Sequence, residues 1–205
     1  MARKTKEDSE QTRRAILDSA MQALYEKGYS RTTFDEIAAR INLTKGAVYW
    51  HFKNKADLIT ALVIQKISEQ HSRYKTLEPK SLSELCQTIS NRAKEIEKDE
   101  NFRKFLFFVI YRMEWSEAIF AQIWGEVRSL VEFPLQQLFQ VLFWCQKNGE
   151  IKKDVDLNNL RDTIAYFWRG ALSTYLSKCK PEMKFSEDIK KGIETIFNGI
   201  QTEKK

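Results

Sequence analysis

Glycine and proline are scarce in this chain, and that scarcity limits the folds open to it more than any other feature. Seven glycines and three prolines in 205 residues are too few for the many turns of an all-β protein. Apolar residues recur instead at the three- and four-residue spacing of amphipathic helices over several long stretches. The sequence therefore predicts an all-α fold of about nine helices.

The first helices are marked by capping residues. The apolar pattern predicts a helix that begins near Ser9, and Gly28 supplies the stop at its C-terminus. Thr33 and Glu36 then form a capping box, in which the hydroxyl accepts from the backbone N–H three residues on. A short second helix is expected to follow this box.

A tight turn separates the second helix from a third. Asn42-Leu43 is predicted to form the turn, Thr44 to cap a third helix over 45–52, and Asn54 to open a fourth that runs to about Tyr74. Three short helices with a tight turn between the last two are the layout of a helix-turn-helix module. A plain three-helix bundle with no role in DNA binding has the same layout.

Positive charge is concentrated at the N-terminal end. Residues 1–55 hold eleven lysines and arginines against seven acidic residues, a net charge of +4 out of +6 for the whole chain. This positive charge permits nucleic acid as a partner but does not require it.

The segment from Thr44 to Lys55 has the chemistry for that contact. Thr44 and the free N–H groups of the helix start can hold a phosphate, and Lys45 can reach guanine edges or the DNA backbone. The small residues Gly46 and Ala47 allow close approach to the groove, and Lys55 can contact a phosphate. The predicted DNA-binding residues are Thr33, Thr44, Lys45, Gly46, Ala47, Tyr49, Trp50, His51 and Lys55.

These residues resemble the DNA-binding signature of the TetR/AcrR family of bacterial repressors, especially the branch that regulates multidrug efflux pumps. The resemblance covers about the first sixty residues. The matching positions are Met1–Lys6, Thr12-Arg13, Ile16-Leu17, Gly28, Thr32-Thr33, Ile37-Ala38 and Thr44–Phe52. It implies a transcriptional regulator with a DNA-binding domain at 1–54 and a helical effector-binding and dimerisation domain at 55–205.

The remaining helices are predicted from periodicity and end signals. Asp156 and Ser186 are expected N-caps, and Pro134 lies inside the longest apolar-periodic stretch, so that helix should kink or divide there. The predicted helices are 82–98, 102–115, 117–148, 156–178 and 186–201.

A homodimer is expected because a helix-turn-helix reads two half-sites about one DNA turn apart. The resemblance implies an interface in the last two helices, where Gly170, Gly192 and Gly199 would permit close approach. Their apolar stripes suit a helix-pair interface, and they suit an intramolecular core equally well. The stripes are Leu160, Ile164, Phe167, Ala171 and Tyr175 on one helix and Ile189, Ile193, Ile196, Phe197 and Ile200 on the other.

The central helices are rich in aromatic residues, most of which should be core, although their density also offers walls for a ligand cavity. Glu114 falls where the efflux-regulator branch often carries a glutamate. It is either a solvated helix-end residue, a partner of Arg112 or another cation, or the anchor of a cationic drug. The predicted ligand-binding residues are Ile67, His71, Leu106, Ile110, Tyr111, Glu114, Phe139, Phe167 and Ala171.

Enzymes, metal sites, cofactors and membranes find no support in the sequence. Two histidines form no recognisable catalytic set, and no Gly-rich phosphate loop is present. The three cysteines are widely spaced, which favours neither a disulfide framework nor a metal site and suits a reducing cytoplasm. The longest dense apolar run, 105–111, is far shorter than the roughly 20 residues that span a bilayer.

Three functions are consistent with these features. The first is a homodimeric repressor that an apolar or amphipathic small molecule releases from its operator. The second is a ligand-independent architectural DNA-binding protein, which would discriminate weakly between sequences and depend steeply on salt. The third is a helical small-molecule carrier or enzyme without operator preference, and the intact segment 44–55 counts against both alternatives.

Overall fold

The chain is all-helical, as predicted. The computed structural model describes residues 6–73 and 79–202, apart from the side chains of His71, Arg73 and Val131. Within these ranges it contains nine α-helices and one π-helical turn, and no helix there is long and apolar enough to cross a membrane. The helices are α1 Lys6–Lys27, α2 Phe34–Arg40, α3 Lys45–His51, α4 Lys55–Arg73, α5 Leu82–Lys98, α6 Glu100–Phe107, the π turn Phe108–Arg112, α7 Glu117–Lys147, α8 Leu157–Ser177 and α9 Phe185–Ile200.

The chain divides into two compact units. Unit 1 comprises residues 1–71 and 104–128, and unit 2 comprises residues 72–103 and 129–205. Helices α4 and α7 each contribute residues to both units. The predicted domain boundary after residue 54 separates functions, and it stays a prediction.

Unit 1 is built around one face of α1. Ile16, Leu17, Ala20 and Leu24 are fully buried, and their spacing places them on a single stripe of the helix. The Ser19 hydroxyl, on the same side, donates to a main-chain carbonyl of α2 at 3.0 Å. Further core residues of this unit are Phe34, Ile37, Val48, Phe52, Leu58 and Leu62.

The predicted caps and the turn of the N-terminal module are confirmed. The Thr33 hydroxyl accepts from the backbone N–H of Glu36 at 3.2 Å, and the Thr44 hydroxyl accepts from that of Ala47 at 3.2 Å. Between them Asn42 has a φ of 54°, the left-handed conformation that asparagine tolerates better than most residues. This residue turns the chain from α2 into α3.

Unit 2 is formed largely by the packing of α5 and α8 on α9. Asp156 caps α8 as predicted, accepting from the backbone N–H groups of Asn158 and Asn159 at 2.8 and 3.1 Å. A single antiparallel bridge between Ile151 and Gln201 joins the loop after α7 to the end of α9.

The start of α9 differs from the prediction. Ser186 is not the N-cap, because the helix begins one residue earlier, after Lys184. Lys184 carries no acceptor that could cap the helix. Instead, the carboxylate of Glu97 on α5 accepts from the backbone N–H of Ser186 at 3.0 Å and from its hydroxyl at 2.7 Å. A side chain distant in sequence therefore caps this helix.

The predicted helix over 102–115 is wrong at both ends. Helix α6 begins at Glu100, where Asp99 accepts from the backbone N–H of Phe102 at 2.9 Å. After α6 the backbone widens into the π turn, which closes with a 2.8 Å bond from Met113 N to Phe108 O. The π turn replaces the last turns of the expected α-helix.

Pro134 does not divide the longest helix, because α7 continues through it from Glu117 to Lys147. The ring costs one main-chain hydrogen bond, and the many apolar contacts of so long a helix offset that loss.

Half of the apolar stripe on the last two helices is intramolecular core. Leu160 and Ile164 on α8 and Ile189, Ile193 and Phe197 on α9 are buried within the chain. A Cβ added at Gly192 would lie 2.0 Å from the Phe167 ring, so this glycine seats the ring of one helix directly on the other. The close approach predicted for Gly192 occurs inside the chain.

Candidate DNA-binding site

Helix α3 has one buried and one exposed face. Val48 is fully buried and Phe52, which ends the helix, is 1% exposed, so the two residues fasten α3 to the core of unit 1. On the other face Tyr49 is 52% and Trp50 is 73% exposed. Tyr49 and Trp50 are adjacent in the chain, and contiguous exposed apolar surface of this kind often marks an interaction site.

The start of α3 is open to an approaching partner. Thr44, Lys45 and Gly46 are exposed, and a Cβ built on Gly46 would meet its nearest neighbour, the Thr44 hydroxyl, at 3.8 Å. Ala47, half-buried, adds only a methyl group to this surface. Small side chains at these positions let a double helix come close to the backbone of α3.

Lys45 is held by an ion pair with α2. Its ammonium lies 2.7 Å from the carboxylate of Asp35, and this neighbour raises the pKa of Lys45. Both side chains are well exposed, so the pair holds the ammonium at the protein surface and contributes little stability. This contact was not predicted from residue spacing.

The aromatic residues of α3 are oriented by rings beside them. The Tyr49 ring packs edge to face with Phe34 of α2, with centroids 4.9 Å apart. The Trp50 and His51 rings meet edge to face at 4.6 Å. Thr33, also exposed, caps the neighbouring helix.

Lys55 has an internal role that the sequence did not indicate. Its ammonium donates to the carbonyl oxygens of Tyr29 at 2.6 Å, Ser30 at 3.3 Å and Thr32 at 3.0 Å, and it lies 4.4 Å from the centre of the Tyr29 ring. Burial lowers the pKa of Lys55, and the charge of Glu114 partly opposes that effect. The first residue of α4 is thus fastened to the loop between α1 and α2. Its predicted phosphate contact stays a prediction.

Glu114 binds the same loop. The carboxylate is exposed and accepts from the Ser30 backbone N–H at 3.4 Å and from the Ser30 hydroxyl. The guanidinium of Arg112 donates to the Glu26 carbonyl at 2.6 Å, so each side chain finds its partner in α1 or the loop after it. The exposed carboxylate agrees with the solvated helix-end role, but the contact with Ser30, 84 positions away in the chain, was not predicted.

The predicted ligand-binding residues are spread over both units. Ile67, Leu106, Ile110, Tyr111 and Glu114 belong to unit 1, and Phe139, Phe167 and Ala171 belong to unit 2. Phe167 and Ala171 share a shallow depression beside Gly170. The role of the whole set in ligand binding stays a prediction. The side chain of His71 and all of Tyr74 lie outside the described residues.

Unit 2 contains a better-formed cavity elsewhere. It has a volume of about 390 Å³ and is walled by α5, α7 and α8, with Leu138 and Trp168 among its apolar lining residues. None of the eight predicted ligand-binding residues whose side chains the structure describes is among its lining residues. Periodicity identifies which face of each helix is apolar, but not which three helices leave a space between them.

Known proteins share both the N-terminal module and the whole fold. Residues 16–62 match the model of the bacterial regulatory proteins of the tetR family. The HTH-type transcriptional repressor BepR of Brucella suis biovar 1 is 30% identical over 180 residues, which cover 85% of this chain and 85% of the relative. The probable acrEF/envCD operon repressor of Escherichia coli K12 is 28% identical over 180 residues, 86% of this chain and 81% of the relative.

The architecture also matches a solved structure. The crystal structure of NalD, the secondary repressor of the MexAB-OprM multidrug efflux pump in Pseudomonas aeruginosa, superposes with a TM-score of 0.79 over 97% of this chain and 100% of NalD. At 24% sequence identity this likeness shows the fold. The matched residues 16–62 contain α3 with its exposed face. The match to BepR extends beyond this module to 85% of the chain. The chain therefore belongs to the TetR family of bacterial regulatory proteins and is a DNA-binding transcriptional regulator, not an enzyme.

Proposed function

We propose that the protein is a homodimeric repressor that binds operator DNA through α3 and is released by a small apolar or amphipathic effector. The observation that carries this proposal is the division of α3 into a buried face and an open one. Tyr49, Trp50 and the charge of Lys45 are presented together on the open face. A helix with one face packed on the protein core and the opposite face exposed can insert into the major groove of DNA.

The proposed regulatory target is the operon of a multidrug efflux pump. Support comes from the relatives: one is named as the probable repressor of the acrEF/envCD operon, and NalD represses the MexAB-OprM pump. In this assignment residues 1–54 bind DNA, and residues 55–205 bind the effector and form the dimer.

The dimer is proposed to form through the exposed sides of α8 and α9. Tyr166 on α8 is 66% exposed, and a Cβ added at Gly170 or Gly199 would have no described heavy atom within 4 Å. Small residues beside an exposed aromatic residue favour close packing against a second copy. The two-fold symmetry of such a dimer would place two α3 helices on half-sites about 34 Å apart.

The cavity among α5, α7 and α8 is the proposed effector site. Its volume of about 390 Å³ falls within the roughly 300–1,000 Å³ range of small-molecule pockets, and most of its lining is apolar. Pro79, six residues beyond the end of α4, belongs to the lining. A ligand in this cavity is proposed to shift α4.

At its other end α4 is fastened to the DNA-binding module. Lys55, its first residue, donates to three carbonyl oxygens of the loop between α1 and α2. A shift of α4 is therefore expected to move the module and change the separation of the two recognition helices. For release, the effector must bind the DNA-incompetent arrangement more tightly, because equal affinity for both arrangements shifts nothing.

Fluorescence anisotropy tests the proposal on DNA from upstream of the protein's own gene, with excess random competitor at physiological salt. Lipophilic cations, lipophilic acids and planar aromatic compounds are then titrated into the complex. Tight, sequence-selective binding that one compound class reverses is the expected result. Binding that follows salt and not sequence would favour the architectural alternative and overturn the repressor assignment.

A further inference from the structure

We propose that the effector cavity of unit 2 takes an anionic amphiphile, an acidic group on an apolar body, and that Arg92 and Arg169 bind the acidic group. This inference rests on the proposed function, since it names the ligand class of the same cavity. It follows from the distribution of charge around the cavity.

The arginines reach the cavity from two different helices. On α5 the lining residues Leu85, Thr88 and Ile89 lie three and four positions apart, and Arg92 continues the same face one turn later. On α8, Trp168 and Arg169 likewise follow other lining residues at helical spacing. Two walls of the cavity therefore each carry one arginine, of which Arg92 is half-buried and Arg169 is exposed.

The charge of the described lining is entirely positive. Besides the two arginines it holds the polar residues Thr88 and Gln137 and otherwise apolar side chains, and none of the described lining residues is acidic. A cationic ligand in this cavity would give up its hydration beside two like charges. An anion would exchange hydration for charge-assisted hydrogen bonds, which are roughly twice as strong as neutral ones.

Arginine is suited to this role even where it has another contact. Its planar guanidinium carries five N–H donors, and two of them match the two oxygens of a carboxylate. Glu114, the acidic residue considered as an anchor for a cationic drug, belongs to unit 1 and binds Ser30 of the loop there. Within the described lining, the two charged side chains are therefore both positive, a charge opposite to that of an anionic ligand.

A head-group series on one apolar chain tests the sign of the preferred charge. Octanoate, octyltrimethylammonium and 1-octanol are titrated into the full-length protein by calorimetry, below micelle-forming concentrations. A second series on a planar body uses 2-naphthoate, 2-naphthylmethylammonium and 2-naphthalenemethanol. In at least one series we expect the acid to bind at least ten-fold more tightly than the ammonium compound.

Variants locate the site of the charge preference. Arg92→Gln and Arg169→Gln are each expected to weaken binding of the acid several-fold and to leave binding of the alcohol unchanged, which also shows that the cavity is intact. Arg161→Gln is the matched control, since Arg161 lies on α8, pairs with Asp162 and is not a lining residue. Ammonium binding as tight as that of the acid in both series, or full acid affinity in both arginine variants, would overturn the inference.

The operator-release assay separates this inference from the proposed function. An acid that binds through the arginines without releasing the operator would uphold the ligand class and contradict effector release. Release by the ammonium compound and not by the acid would uphold the repressor and overturn the ligand class.

Discussion

At the scale of single residues, neighbouring side chains hold the proposed DNA-binding face of α3. Asp35 holds the ammonium of Lys45 at the surface through an ion pair, and Phe34 packs edge to face with the Tyr49 ring. Groups that are already oriented lose less conformational entropy on binding than free side chains do. Lys45 must leave Asp35 to contact DNA fully, and an exposed pair of this kind is readily exchanged.

Replacing Lys45 by alanine is expected to weaken operator binding about ten-fold, because a base or phosphate contact of a lysine is lost. Anisotropy at three salt concentrations measures the affinity and its salt dependence. If the slope of the logarithm of the binding constant against the logarithm of the salt concentration decreases in magnitude by about one, Lys45 contacts a phosphate. If the slope is unchanged, Lys45 contacts a base. Loss of dimerisation in this variant would contradict the assignment of residues 1–54 to DNA binding alone.

Replacing Lys55 by methionine is expected to lower the free energy of unfolding by about 1–3 kcal/mol, because three carbonyl oxygens lose their donor and two of these hydrogen bonds are partly buried. Urea unfolding measures the change. Lys53→Met is the matched control: it removes an exposed cation two residues away and should leave stability within about 0.5 kcal/mol. Equal stability of the two variants, with operator affinity lost in Lys55→Met, would show that Lys55 serves DNA instead of the loop.

At the scale of helices, unit 2 is joined by side chains that satisfy the ends of distant elements. The backbone N–H groups in the first turn of a helix have no partner within it. In α9 the carboxylate of Glu97 supplies an acceptor to one of them and also carries the negative charge that a helix start favours. The contact between α5 and α9 thus includes a cap as well as an apolar face.

Replacing Glu97 by alanine is expected to destabilise the protein by about 1–2 kcal/mol, the typical cost of a lost cap. Thermal unfolding measures it. Glu95→Ala serves as the control, because Glu95 on the same helix pairs with the exposed Lys98 and such pairs contribute little. If both variants unfolded at the same temperature, the cap would have no energetic role.

Replacing Gly192 by alanine is expected to lower stability by about 1–3 kcal/mol, since the new methyl group would overlap the Phe167 ring. Gly125→Ala on α7 is the matched control, because a Cβ there meets no described atom within 4 Å, and it should stabilise by roughly 0.5–1 kcal/mol. In the background Phe167→Ala, the penalty at Gly192 should disappear, and persistence of the penalty would contradict the contact.

At the scale of the whole molecule, about half of the apolar stripe on α8 and α9 is already buried within the chain, so only the rest could contact a second copy. The buried stripe residues hold unit 2 together, whereas Tyr166, Gly170 and Gly199 remain exposed. A dimer of the proposed kind must therefore use the exposed sides of these helices.

Replacing Tyr166 by arginine is expected to dissociate the proposed dimer and to weaken operator binding with it, because each half-site would then be bound separately. Sedimentation equilibrium measures the mass, and anisotropy measures the affinity. Phe143→Arg is the matched control, an exposed aromatic residue on α7 outside the proposed interface. A dimer that persists in Tyr166→Arg and dissociates in Phe143→Arg would relocate the interface.

The sequence by itself determined most of the helices and the position of the helix-turn-helix module, because both depend on neighbours along the chain. The caps at Thr33, Thr44 and Asp156 are local bonds over two or three residues, and they form as predicted. The bounds of α5 match the prediction residue for residue. The motif around α3 likewise lies within a dozen consecutive residues.

Only the tertiary structure decided the contacts between distant residues. The shortest of these contacts, from Lys55 to the loop after α1, spans 23 residues, and the longest, from Glu97 to the start of α9, spans 89. Glu114 binds the same loop as Lys55. The cavity lined by Arg92 and Arg169 likewise requires residues from several helices. Periodicity records which face of a helix is apolar and carries no information on its neighbour. That choice depends on how side chains of particular size and charge fill the space between helices.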